Sequence, residues 1–97
     1  MMDERLLTLS MRLVAVENAI AILLANECME SSDPAGNAEE LRAAFVRGAK
    51  AQTFPGIDPA MSDLAAAEFE EANDRLLSMT KERVRRMQQA RRADGGK

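Results

Sequence analysis

The feature that most constrains this chain is a long stretch without helix breakers, which starts at Asp58 and runs to Asp94. After Asp58-Pro59, no proline or glycine occurs until Gly95. Aspartate caps the free N–H groups at a helix start, and proline at the first helical position lacks only an N–H that would be unpaired. The stretch therefore predicts a helix about 50 Å long. A compact domain of this length is only about 32 Å across. The chain cannot wrap such a helix alone, and a second copy is the simplest cover.

Composition indicates the fold class. The chain is 46% apolar and 30% charged, which is typical of a folded protein rather than a disordered one. Its apolar residues are mainly Ala, Leu, Met and Val, mostly good helix formers. We predict an all-α fold of three helices, two long and one shorter, forming a helical hairpin or bundle completed by homodimerisation. The predicted single domain covers residues 1–94, with helices at 3–29, 38–52 and 59–93 and a frayed tail at 95–97.

Large apolar residues of the first predicted helix recur in alternating steps of three and four, which is the spacing of a coiled coil. We call them the heptad seam: Leu6, Leu9, Leu13, Val16, Ile20 and Leu23. Residues 19–25 are apolar on every side of the helix. A helix of this kind is normally surrounded by protein, so we expect other helices, some of them from a partner, around its second half.

The second predicted helix and the turn after it carry local signals. Asn37 with Glu40 three residues later has the form of a capping box, which places the helix start at residue 38. Gly48 inside this helix predicts close contact with another backbone. Pro55-Gly56 suits the two central positions of a type II turn.

The predicted dimer or partner interface combines part of the heptad seam with the apolar side of the third helix. Its residues are Leu13, Val16, Ile20, Leu23, Phe69, Ala72, Leu76, Met79, Val84 and Met87. The third helix is acidic in its first half and basic in its second. Two such helices crossing antiparallel near Leu76 would set opposite charges together, and parallel ones would set like charges together. The sequence leaves both arrangements open.

Charge is unevenly distributed. Residues 1–80 carry a net charge of −8 and residues 81–97 carry +5. The cations of the basic segment 81–92 are candidates for binding an anion or a partner: Lys81, Arg83, Arg85, Arg86, Arg91 and Arg92. They are expected to pair between subunits, or to bind nucleic-acid phosphates, an acidic protein or an anionic membrane. Aromatic residues for base stacking are not interleaved with them, which disfavours a dedicated nucleic-acid reader.

The residues that most enzymes use are missing. The chain has no His, Tyr or Trp and a single cysteine, Cys28, which we expect to be a buried structural thiol. Two carboxylate pairs each share a helix face, Glu68 with Glu71 and Glu70 with Asp74. Helical di-metal sites add histidines to such pairs, so we expect these to be solvated or to contact arginine. We predict no catalytic site, no metal and no cofactor.

The sequence start lacks the basic residues of a secretory signal, and the apolar run 19–25 is too short to span a bilayer. We therefore expect a cytoplasmic protein with no membrane partner. The favoured function is a small non-enzymatic adaptor or regulatory protein that acts through protein–protein interaction as a homodimer. The alternatives are a nucleic-acid-associated accessory protein that uses residues 81–92, and a structural subunit of a larger assembly.

Overall fold

The computed structural model describes residues 3–95, which form three α-helices and no strand. The helices are α1 (Glu4–Met29), α2 (Pro34–Ala51) and α3 (Pro59–Gly95). The all-α prediction is confirmed, and α3 is one uninterrupted helix of 37 residues. Of the predicted frayed tail, Gly95 is the last residue of α3, and residues 96 and 97 lie outside the described residues.

Each helix begins directly after an aspartate that caps it. The side chains of Asp3, Asp33 and Asp58 accept hydrogen bonds from backbone N–H groups two or three residues ahead, at 3.0, 3.1 and 3.2 Å. Each cap satisfies a donor that the helix itself leaves unpaired. The start of α3 at Asp58-Pro59 is therefore the one that the sequence predicts.

The predicted start of the second helix is wrong by four residues. The helix begins at Pro34, and the backbone N–H of Asn37 already donates to the carbonyl oxygen of Asp33 at 2.9 Å. Asp33-Pro34 is the same start signal as Asp58-Pro59, and it takes effect before Asn37 can act as a cap.

The two glycines singled out in this region differ in role. A Cβ added at Gly48 would have no neighbouring atom within 4 Å, so the prediction of close contact with another backbone is wrong. Gly56 has φ of +83°, the value that the third position of a type II turn requires. The turn that carries the chain from α2 into α3 is therefore the predicted one.

Polar contacts between the helices show their relative directions. Glu17 contacts Arg75, and the carbonyl oxygen of Met29 accepts from Arg91, so α1 and α3 are parallel. α2 is antiparallel to α3. From its end to its start, Lys50, Arg42 and Glu39 of α2 contact residues that come successively later in α3, namely Glu70, Asp74 and Lys81. α3 therefore lies at the centre of an up-down-up arrangement and contacts both other helices extensively, whereas α1 and α2 contact each other little.

The main cluster of the core is small and lies at one end of the molecule, where α1 ends and α2 begins. Its buried residues are Ala25, Cys28, Met29, Ala38 and Val84, with Leu41 and Met87 packed against them. Ala21, Ala49 and Leu77 are also buried, outside this cluster. No residue between positions 4 and 20 is buried. The radius of gyration is 16.7 Å and the extents are 58 × 33 × 17 Å. A compact chain of this length would have a radius of about 12–13 Å, so the molecule is long and flat.

Candidate interaction surfaces

The heptad seam lies open on α1 over its whole length, from Leu6 to Leu23. Its six side chains are between 38% exposed (Ile20) and 68% exposed (Leu23). α3 packs against the side of α1 that carries Ala21, Ala25 and Cys28, which are buried. Residues advance by about 100° per position on a helix, so the seam lies roughly a third of a turn away from that buried side. The expectation that residues 19–25 are surrounded is met only on the side facing α3.

The predicted interface residues fall into two groups. Those of α1 (Leu13, Val16, Ile20 and Leu23) share the open seam. Those of α3 are mostly covered by their own chain: Val84 is 1% exposed, Met87 packs on the same core, and Ala72, Leu76 and Met79 are half-buried. The remaining one, Phe69, is 40% exposed and meets the ring of Phe54 edge to face, with centroids 5.8 Å apart. The structure therefore brings together only the α1 group as one continuous open surface.

The first half of α1 is exposed on its other sides as well. Leu7 and Val14 are on the same side of the helix as Ala21, yet they are 49% and 45% exposed because α3 does not cover them. Met61 and Leu64, near the start of α3, are each 54% exposed. Apolar surface is therefore concentrated at the end of the molecule opposite the core.

Glu17 is the charged residue that connects the seam to α3. Its two carboxylate oxygens accept from Nε and Nη2 of Arg75, both at 3.2 Å, in a two-pronged contact. The hydrogen bond to Glu17 raises the pKa of Arg75. Glu17 precedes Ile20 by three residues, so this ion pair lies along the edge of the seam.

The basic segment is largely engaged within the chain. Lys81 pairs with Glu39 of α2, and Glu82 accepts from both Arg85 and Arg86. Arg91 donates to the carbonyl oxygen of Met29 at 3.4 Å. Arg83 lines the groove between α1 and α3, and Arg92 is exposed in the last turn of α3. These intrachain pairs reduce the positive charge that the segment presents to a partner.

These cations lower the pKa values of two carboxyl groups. Hydrogen bonds from Arg85 and then Arg86 lower the pKa of Glu82 to about 2. A hydrogen bond from Lys81 lowers the pKa of Glu39. Both carboxylates are therefore held in the ionised form. Sequence reasoning missed Glu39, since a partner 42 positions away leaves no local signal.

The acidic half of α3 also finds partners in its own chain. Nε of Arg42 donates to Asp74 at 2.8 Å, and Lys50 lies 3.7 Å from Glu70. These contacts are at the surface, where each ion pair contributes about 1 kcal/mol or less. A second α3 laid antiparallel would have to compete with them.

Within residues 3–95, no group of three or more metal-ligating side chains comes together. Cys28 is fully buried, and burial, followed by the charge of Glu27, raises the pKa of its thiol. The expectation of a buried thiol is confirmed. A buried thiol with a raised pKa is a poor nucleophile.

α1 is, among the described residues, the one helix long and apolar enough to cross a bilayer, and almost none of its apolar window is buried. Core helices of soluble proteins and signal sequences share this length and composition. With 26 residues, α1 is much longer than the apolar run 19–25.

Comparison with protein-family models, with curated proteins and with solved structures gives no match to this chain.

Proposed function

We propose that this chain is a small non-enzymatic helical adaptor or regulatory protein that acts through protein–protein contacts as a homodimer. The observation that carries the proposal is the heptad seam, a continuous row of large apolar side chains that its own chain leaves open. Extended apolar patches on a folded chain mark interaction sites. A cytoplasmic location, which the sequence alone suggests, belongs to the same proposal.

The apolar area of the seam supports association. Full burial of a Leu, Val or Ile side chain contributes about 1.5–3 kcal/mol, and these side chains are about half exposed in a single copy. Covering the seam on both copies would then contribute about 9–18 kcal/mol. Association costs about 4–15 kcal/mol in lost freedom of motion. The two ranges overlap, so the gain from burial is of the size that association requires.

Two features of the chain support a role without catalysis. The sequence has no histidine, so the usual general base near neutral pH is missing. Its one thiol is buried and hard to ionise. The surface that other molecules can contact consists of exposed apolar side chains and of charged side chains that already form ion pairs.

Sedimentation equilibrium at several protein concentrations tests the homodimer. We expect a reversible monomer–dimer equilibrium in which Leu13→Glu shifts the protein to monomer while circular dichroism keeps most of its helical signal, with loss confined to the first half of α1. A wild-type chain that remains monomeric at the highest concentrations would contradict the proposal.

The adaptor role needs a separate test. Cross-linking followed by affinity capture from cell extract should recover defined proteins with the wild type and lose them with Leu13→Glu. Met11→Glu is the matched control, because Met11 is as exposed as Leu13 but lies on the opposite side of α1. Loss of the same proteins with both variants would show that charge alone disturbs the capture.

The same preparation tests the nucleic-acid alternative. Labelled duplex DNA and single-stranded RNA are titrated at two salt concentrations. Phosphate contacts by residues 81–92 would give an affinity that falls steeply with salt. We expect only weak binding, because Lys81, Arg85 and Arg86 already contact carboxylates of their own chain.

A further inference from the structure

The heptad seam has charged residues at the positions that determine pairing in coiled coils. If its residues occupy the a and d positions of a heptad, Arg5 and Arg12 occupy g, and Ser10 and Glu17 occupy e. In a parallel pair of helices, a g residue meets the e residue five positions further along the other helix. Arg12 and Glu17 are five positions apart and opposite in charge.

We propose that the heptad seam binds the same seam of a second copy, parallel and in register, and that Arg12 of each copy pairs with Glu17 of the partner subunit. This inference rests on the proposed homodimer. It adds which surface pairs, in which direction the two α1 helices run, and which charged residues contact each other. The two copies are related by a two-fold axis along α1, so one surface serves both sides of the interface.

Charge complementarity favours the parallel direction. In the antiparallel arrangement that overlaps the whole seam, Arg12 would lie opposite Ala19 of the partner subunit, and Glu17 opposite Ser10 of the partner subunit. The parallel arrangement thus makes two ion pairs beside the seam, and the antiparallel one makes none. The next a position after Ile20 is Glu27, so the seam ends after Leu23.

Glu17 is already positioned for this contact. The two-pronged bond from Arg75 fixes its carboxylate on the side of the seam nearest α3. An ionised carboxylate has about four acceptor positions, so it can accept from a second guanidinium as well. Glu17 would then bridge α3 of its own chain and α1 of the partner subunit.

A second copy also suits the surface better than a bilayer does. Arg12 and Glu17 lie beside the middle of the seam, and a membrane that covered the seam would have to bring these charges to the edge of its hydrocarbon. A second copy gives each of them a partner instead. The alternating three-and-four spacing is also the one that pairs of helices need.

Disulfide cross-linking tests the direction. Leu6→Cys and Leu23→Cys are each made in a Cys28→Ala background, after circular dichroism shows that this background keeps its helices. In the parallel dimer, each variant cross-links with itself, because equal positions are adjacent. Positions 6 and 23 are about 25 Å apart along a helix, far beyond the roughly 7 Å that a disulfide allows between Cα atoms. Cross-links that form only when the two variants are mixed would establish the antiparallel dimer and overturn the inference.

Sedimentation and vesicle flotation on the unmodified full chain separate the other outcomes. A dimer in solution whose variants never cross-link would mean that another surface pairs, which overturns the inference and leaves the proposed homodimer in place. A chain that is monomeric at all concentrations would overturn both. A monomer that floats with uncharged phosphatidylcholine vesicles, and no longer floats as Leu13→Glu, would show that a bilayer covers the seam, and would also overturn both.

Charge reversal tests the ion pair. Arg12→Glu would set like charges at both Arg12–Glu17 contacts, and we expect the dimer Kd to rise about tenfold. Arg5→Glu is the matched control, since it makes the same charge change on the same helix opposite Ser10 of the partner subunit. Equal Kd values for Arg12→Glu and Arg5→Glu would contradict the pairing.

Discussion

Truncation of one seam residue gives a quantitative test of how α1 is used. Leu13→Ala removes about three carbon groups, each of which contributes about 0.8 kcal/mol when fully buried. Leu13 is 54% exposed in the single chain, so a partner would cover about half of it. The loss is then about 1.2 kcal/mol per copy and about 2.4 kcal/mol per dimer. The dimer Kd should rise about fiftyfold.

Met11→Ala is the control for this measurement. Met11 is 55% exposed and lies two residues from Leu13, on the opposite side of α1. Leu and Met have similar helix propensities, so both changes affect the isolated helix equally. Kd is measured by sedimentation equilibrium over a wide concentration range. An unchanged Kd for Leu13→Ala, or an equal increase for Met11→Ala, would refute the reasoning.

Four further measurements address the fold and its charges. Leu77→Ala truncates a fully buried side chain and should lower the free energy of unfolding in urea by about 2–5 kcal/mol. Gly48→Ala should raise it by about 0.5–1 kcal/mol, because the new methyl group meets no neighbour and alanine favours the helix. The carboxyl of Glu82 should titrate near pH 2 when followed by NMR. Since folding lowers its pKa, its stabilising effect is present above about pH 4.5 and is lost as the pH falls towards 2. A titration midpoint near pH 4.5 would contradict the Arg85 contact. Hydrogen exchange at residues 4–16 should slow as protein concentration rises, whereas exchange that is independent of concentration would mean that no partner covers them.

Local signals in the sequence predict the helices well, and contacts between distant residues explain most of what it misses. The lack of breakers after Pro59 predicts α3 because helix formation depends on neighbouring residues. Asp33-Pro34 is an equally local signal for the start of α2. The predicted start is wrong because it relies on Asn37, which lies after that signal. Val84 is predicted to lie in an interface but is buried within its own chain, and local signals do not explain this difference. Periodicity identifies an apolar side of a helix but not which chain covers it.

The structure shows why α3 cannot cover the seam as well. α3 uses its apolar side between α1 and α2, where small residues such as Ala21, Ala25 and Ala38 let the helices approach closely. The seam faces another direction, and α2 contacts α1 little. Within residues 3–95, no further helix remains to cover it.

This geometry links the folding of α1 to association. Residues 4–16 contain no buried side chain, so burial within one chain contributes little to their helix. An isolated helix of about 12–15 residues is marginal in water. Pairing of two seams would bury apolar side chains in this segment on both copies. The first half of α1 and the proposed dimer should therefore form together, while the small core around Cys28 and Val84 forms within each chain.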